Sequence, residues 1–149
     1  LVKAAHAPAT LPEAEQSATA VLPALATTPW RRLRSAVRRL GVTPTDPELH
    51  RIRILAKRAR YAAEAVAPVA GPDAAAFGKA AAKLQTVLGE HQDSVTAQAW
   101  LRAAKVSGRR AFVAGELIAL ERIAAEKSRT EWPQVWVALE RKKLRDWML

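Results

Sequence analysis

Apolar residues recur along this chain at intervals of three and four, which is the spacing of one face of an α-helix. The pattern is clearest over residues 48–66. One side of that helix is apolar and is formed by Ile52, Leu55, Ala59, Ala62, Ala63 and Val66. The opposite side carries His50, Arg53, Lys57, Arg60 and Tyr61, with Arg51 and Arg58 on one flank. The pattern predicts an amphipathic helix that packs by one face and shows a row of cations on the other.

Two further helices are predicted before this one. The first covers about residues 11–26. The second begins at Pro29 with Thr28 as its N-cap, because proline is favoured in the first turn of a helix. It ends at Gly41, and residues 42–47, which hold two prolines, form the clearest linker in the chain.

Two residues are candidates for the N-cap of the helix over 48–66. Either Asp46 caps it, with Pro47 following, or Thr45 does so in a capping box with Glu48. Pro68 is expected to end it.

Four shorter helices are predicted after it, and glycines or capping residues separate them. They cover residues 73–88, 94–105, 109–127 and 131–148, with breaks at Gly89, Asp93, Gly108 and Ser128. No stretch alternates with the period of a strand. Because the loops are short, we predict an all-α fold, an antiparallel four-helix bundle with additional flanking helices. Residues 1–46 would be N-terminal flanking helices, and residues 47–149 the bundle with its C-terminal helix.

Charge changes the picture from a plain bundle to a binding protein. The chain has 24 lysines and arginines against 14 acidic residues, which gives a net charge of +10. This balance favours nucleic acid, polyphosphate or an anionic membrane surface as a partner. Arginine outnumbers lysine two to one, and its planar fork of donors suits phosphate oxygens. Cysteine is absent, which excludes disulfides and thiol chemistry.

Sequence motifs for catalysis are absent. There is no H-E-x-x-H pair, no G-x-S-x-G elbow and no glycine-rich phosphate loop. Glu90, His91 and Asp93 could form a metal site only by converging with His50. We favour Asp93 as a helix cap and His91 as either a ligand contact or a structural hydrogen-bonding group. The sequence therefore predicts no enzymatic activity, no cofactor and no metal.

The cationic row is the strongest candidate for a binding site. His50, Arg53, Lys57 and Arg60 follow one another at i, i+3, i+7 and i+10, so they line one side of a helix. A solvated helix face normally mixes both signs of charge, and this one is almost entirely positive. An anion with repeating negative groups would bridge such a row. The preceding helix carries a second basic stripe, formed by Arg31, Arg34 and Arg38.

Nucleic acid is the alternative anion. The chain shows no helix-turn-helix, zinc-finger or RNA-binding aromatic signature. Tyr61 is the single aromatic residue on the cationic helix that could stack on a base. A non-specific nucleic-acid-binding helical domain is therefore kept as the second hypothesis.

Two segments resemble the CHAD family, the conserved histidine α-helical domain. They are L-H-R-I-R-I-L-A-K-R-A-R-Y-A-A-E at 49–64 and L-Q-T-V-L-G-E-H-Q-D-S-V at 84–95. The resemblance implies two four-helix bundles, each opened by a histidine-containing basic helix, with a positively charged channel between them. It also implies binding of inorganic polyphosphate, cytoplasmic location with association to polyphosphate granules in some members, and no catalysis by the helical part.

On this chain the resemblance assigns the family histidine to His50. The basic ligands it implies are Arg53, Lys57, Arg58 and Arg60, with His91 as a weaker candidate and Lys83, Arg34 and Arg38 as supporting cations. A single H-x-x-R copy is present, so we expect the C-terminal half of such a domain. The expected partners are polyphosphate first and nucleic acid second, with no membrane, and with a homodimer or a first bundle completing the channel.

Overall fold

Four long helices make up the fold in the computed structural model, which describes residues 11–148. They are α1 (Ala18–Val37), α2 (Asp46–Ala70), α3 (Pro72–Ala103) and α4 (Arg109–Leu139). Short 3₁₀ helices at Pro12–Glu15 and Lys142–Leu144 precede and follow them. Each long helix packs on the next in sequence, so the all-α bundle is confirmed. No strand occurs within residues 11–148.

The helices are fewer and longer than the sequence predicted. The break at Thr28 is wrong, because α1 continues through Pro23 and Pro29. Likewise α2 passes Pro68 and ends at Gly71, which adopts a positive φ of 84°. Proline removes one hydrogen bond from a helix, but burial of a continuous apolar stripe outweighs that local loss.

In the second half of the chain the predicted break at Gly108 is confirmed, because α4 begins directly after it, but the other three predicted breaks are wrong. α3 runs without interruption through Gly89 and Asp93, and α4 runs through Ser128. Gly89 and Ser128 are buried against neighbouring helices, so packing along the helix decides the conformation at these positions.

The core lies between α1, α2, α3 and the second half of α4. Trp30 of α1 stacks on Trp136 of α4 with ring centroids 5.4 Å apart. It meets Phe77 of α3 edge-on, also at 5.4 Å. The largest fully buried apolar side chains are Phe77, Leu33, Leu49, Ile52, Leu84, Leu88 and Leu139. Residues from all four helices therefore share one core.

The chain after α4 folds back on the core instead of continuing as a helix to residue 148. Leu144, Trp147 and Met148 pack against the main cluster of buried residues. The Trp147 indole donates a hydrogen bond to the Leu144 carbonyl at 2.9 Å. The Arg145 guanidinium lies over the Trp30 ring at 5.5 Å. The predicted helix over 131–148 thus ends nine residues early, at Leu139.

Replacing Leu33 by alanine should destabilise the fold by about 2–5 kcal/mol, because its side chain is 0% exposed and truncation leaves a cavity. Leu25→Ala on the same helix is the matched control, since Leu25 is 60% exposed. We expect it to change the free energy of unfolding by less than about 0.5 kcal/mol. Urea denaturation measures both, and equal effects would contradict the placement of α1.

Candidate anion-binding site

The start of α2 is fixed by a capping box, and this decides between the two caps left open by the sequence. Thr45 is the N-cap, and its side chain accepts a hydrogen bond from the Glu48 backbone N–H at 3.4 Å. The Glu48 carboxylate accepts from the Thr45 backbone N–H at 2.7 Å and from its hydroxyl at 2.8 Å. These hydrogen bonds, the backbone one foremost, lower the pKa of Glu48. The capping box fixes the position at which α2 begins, shortly before His50.

Burial of one face of α2 determines where its cations lie. The buried residues are Leu49, Ile52, Ala56, Ala59, Ala63 and Val66. With 100° between successive residues, Lys57 and Tyr61 then lie on the outer face. Arg51 and Arg58 fall on one flank of the helix, towards α1. Arg53 falls on the other flank, towards α3, so the predicted row divides between two sides of α2.

On the first flank, a groove of about 690 Å³ lies between α1 and α2. Its basic lining residues are His50, Arg51 and Arg58 from α2, Arg31 and Arg32 from α1, and Arg39 from the turn after α1. Thr28, Ser35, Ala36, Ile54 and Leu55 complete the lining, and no acidic residue belongs to it. Within residues 11–148 none of the five groove arginines forms an ion pair. We call this the arginine groove.

Two buried polar atoms on α2 have no hydrogen-bond partner within the described chain. They are Nδ1 of His50 and Nε of Arg53. Buried polar atoms are normally hydrogen-bonded, and an exception calls for a physical explanation. Both residues are members of the predicted cationic row.

On the second flank, Arg53 lies against α3 at Gly89. A Cβ placed on Gly89 would be 3.5 Å from the Arg53 Nε, which is an ordinary contact distance. Arg60 donates to Glu64 at 2.6 Å and to Gln85 at 3.4 Å. The hydrogen bond to Glu64 raises the pKa of Arg60 above its ordinary value. Arg60 stays charged, and Glu64 compensates part of its positive charge. Arg53 has no ion-pair partner among residues 11–148.

Three supporting cations from the sequence lie away from the arginine groove. Arg34 donates to the Glu140 carboxylate at 2.8 Å, and Arg38 lies 3.9 Å from the same oxygen. Both side chains bind α1 to the end of α4. Lys83 is exposed on α3 and does not line the groove. In the arginine groove, the predicted ligands His50 and Arg58 therefore lie together with arginines that were not among the main candidates. These are Arg31, Arg32, Arg39 and Arg51.

His91 lies in a structural network and is only 2% exposed. Its Nδ1 is 3.2 Å from the Ala125 carbonyl and its Nε2 is 3.0 Å from the Asp46 carboxylate. Arg129 binds the same carboxylate and the Pro44 carbonyl. Of the two roles considered for His91, the contacts match the structural one, because they connect the start of α2 to α3 and α4. Residues 11–148 hold no group of three or more His, Cys, Asp or Glu placed to bind a metal.

The sequence profile of the CHAD domain family matches residues 1–102. Because this is more than half of the chain, the protein belongs to the CHAD domain family. The matched segment includes α1 and α2, and hence both walls of the arginine groove. No curated protein and no solved structure matches the chain. Within residues 11–148, none of the helices combines the length and apolar character needed to cross a membrane.

The lowered pKa of Glu48 makes a pH-dependent contribution to stability. A carboxyl with a depressed folded-state pKa stabilises the fold fully above its unfolded-state value, which is near 4.5. This contribution is lost as the pH falls below that value. Glu48→Gln should therefore lose stability at pH 6 and show a weaker fall in stability between pH 5 and pH 3 than the parent protein. Identical pH profiles by urea denaturation would contradict the capping box.

Gly89 and Gly78 both lie inside α3 and respond differently to alanine. A methyl group at Gly89 meets Arg53 at an ordinary contact distance, so Gly89→Ala should raise the free energy of unfolding by up to about 1 kcal/mol. At Gly78 the added Cβ lies 3.3 Å from the Glu64 Cγ, and the gain should be smaller or reversed. Thermal unfolding of the two variants measures the difference. A strong loss for Gly89→Ala would disprove the placement of Arg53.

Proposed function

We propose that this protein binds inorganic polyphosphate in the arginine groove and that binding, without catalysis, is its activity. The observation that carries the proposal is the lining of the groove, which holds five arginines and His50 but no acid. Membership of the CHAD domain family supports the same ligand. The proposal places the protein in the cytoplasm, in association with polyphosphate granules.

The spacing of the arginines supports an elongated ligand. Arg51 and Arg58 are two helical turns apart on α2, so they span about 10 Å along the helix. On the other wall, Arg32 lies on α1 and Arg39 lies in the turn that follows it. A compact anion such as orthophosphate would reach one end of such a groove. A polyphosphate chain, with a negative charge on each phosphate, could contact both ends of both walls.

The chemistry of the side chains also suits phosphate. Each guanidinium stays charged and presents paired N–H donors to neighbouring phosphate oxygens. His50, at the start of the groove on α2, can donate a further hydrogen bond. Lys57 and Arg53 continue the positive surface across α2 towards α3 and would take phosphates that extend beyond the groove.

The lining of the arginine groove also supports the proposal that the protein is not an enzyme. Phosphoryl transfer usually depends on metal ions held by carboxylates between the phosphate oxygens. The arginine groove contributes no carboxylate that could hold such an ion. Its side chains can bind and orient a phosphate chain.

One observation favours nucleic acid as a second candidate. Tyr61 is 50% exposed on the outer face of α2. Lys57 Nζ and the Arg60 guanidinium lie 5.6 and 5.5 Å from its ring. An exposed aromatic ring between two cations could stack on a base of a single strand while the cations contact its phosphates. This arrangement would use the outer face of α2 and not the groove.

Replacing Arg51 and Arg58 together by alanine should weaken polyphosphate binding at least about tenfold, because each removes a hydrogen bond between charged groups. The salt dependence should also become shallower by about two units of log–log slope, near one per phosphate contact removed. The matched control replaces Arg122 and Arg141, two exposed arginines outside the groove, and removes the same charge. Fluorescence anisotropy with labelled polyphosphate measures both. Equal losses would show that net charge alone causes binding.

Competition separates the two ligands. Unlabelled polyphosphate should displace the labelled chain at lower phosphate concentration than single-stranded RNA or duplex DNA near 0.15 M salt. Tyr61→Ala should leave polyphosphate binding unchanged. If RNA competes equally per phosphate and Tyr61→Ala weakens RNA binding, the nucleic-acid candidate replaces polyphosphate.

A further inference from the structure

The end of α3 and the first half of α4 form a two-helix hairpin outside the core. No residue from 99 to 124 is buried. The aromatic–aliphatic cluster that unites the helices draws on α4 from Trp132 onwards. The helices of this hairpin were predicted to belong to the bundle, and the structure leaves their apolar residues largely open.

An apolar stripe runs along the open side of α4. Phe112, Leu120 and Ile123 are 66%, 63% and 66% exposed, and Trp100 on the adjoining part of α3 is 71% exposed. Val113, Leu117, Leu120 and Ala124 follow one another at intervals of four, three and four. This is the spacing by which one helix packs against another helix in a coiled coil. The stripe therefore fits a helical partner.

A hollow beside the stripe could receive side chains from that partner. It has a volume of about 500 Å³ and lies between α3 and α4 near the end of the hairpin. Trp100, Leu101, Val106, Val113 and Leu117 are among its lining residues. A helix packed on the stripe would cover this hollow, and its own large apolar side chains would fill it.

Charge is polarised along the hairpin. The tip carries Arg102, Lys105, Arg109 and Arg110, with no acid between residues 94 and 115. The base carries the acidic residues Glu90, Asp93, Glu121 and Glu126. Opposed to them at the base are Arg122, Lys127 and Arg129, and Arg129 is already paired with Asp46. A partner that presents acids beside the tip and cations beside the base would match this surface.

We propose that the partner is a second copy of this chain, packed antiparallel so that the tip of each hairpin lies beside the base of the other. Two hairpins related by a twofold axis would form a four-helix bundle in which both apolar stripes are buried. The same axis brings the cations of each tip next to the acids of the opposite base. A single hairpin cannot bury its apolar stripe. A second copy of the hairpin presents both an apolar stripe and the complementary charges.

Glu116 is the residue that favours a protein partner over a lipid surface. It lies within the stripe, flanked in sequence by Val113 and Leu120 on either side. An anionic membrane that attracted the basic tip would repel this carboxylate and the acidic base. A second copy instead offers cations at the rim of the interface. The inference concerns the hairpin and does not rest on polyphosphate binding in the arginine groove.

Sedimentation velocity of the full chain without polyanion tests the inference. We expect the dimer fraction to rise with protein concentration between about 1 and 100 µM, the range in which a modest interface dissociates. Leu120→Glu should abolish the dimer, because it removes a large apolar side chain that is 63% exposed in the stripe and adds a second carboxylate beside Glu116. The matched control is Val42→Glu, since Val42 is fully exposed between α1 and α2. It should leave the dimer fraction unchanged, and circular dichroism should show equal helicity for both variants.

Charge reversal tests the antiparallel orientation. One variant carries Arg109→Glu with Arg110→Glu, and the other carries Glu121→Lys with Glu126→Lys. Each should sediment as a monomer alone, and an equimolar mixture should recover the dimer. A parent chain that stays monomeric over the whole range would overturn the proposal, whether or not it binds phosphatidylserine vesicles. A parent dimer without recovery in the mixture would overturn the antiparallel arrangement.

Discussion

Burial of the apolar stripe of α2 between its neighbouring helices is the constraint on which the rest of the structure depends. Leu49 is 0% exposed and Ile52 is 1% exposed, and the small residues that continue the stripe bring α1 and α3 close to α2. The arginines of α2 cannot enter this interface without losing their hydration, so they lie on its outer face and flanks. The arginine groove exists because α1 contributes a similar cationic flank beside that of α2.

The sequence predicted the apolar stripe of α2 and its start near residue 47, because the periodic stripe and the capping residues are local features, but it placed the end of the helix too early, at Pro68. It could not assign the cations of α2 to their separate sides. His50, Arg53 and Arg60 look like members of one row in a helical projection. The position of α1 and α3 decides that His50 faces the groove while Arg53 approaches Gly89. That information depends on which helices pack together, and one helix does not contain it.

The wrongly predicted helix breaks have a similar cause, because packing between helices also decides where a helix continues. Thr28 with Pro29 and Ser128 carry local signals for a helix start, and Gly89 carries one for a helix end, but each lies inside a long helix. Local propensities differ by about 1 kcal/mol for glycine, whereas burial of a large apolar side chain contributes about 1.5–3 kcal/mol. In α3 the buried residues continue on both sides of Gly89. The sum of their burial therefore outweighs the signal at one position.

The placement of the acids completes the explanation of the groove. Glu140 binds Arg34, Asp46 binds Arg129, and Glu64 binds Arg60. Glu48 is engaged with Thr45 in the capping box. These acids stabilise helix contacts and a helix start, and none of them lines the arginine groove. Side-chain repulsion among the groove arginines is moderated by water and salt, so the fold tolerates it. Within residues 11–148 no ion pair neutralises the groove arginines, and the proposed polyphosphate ligand would use this positive charge.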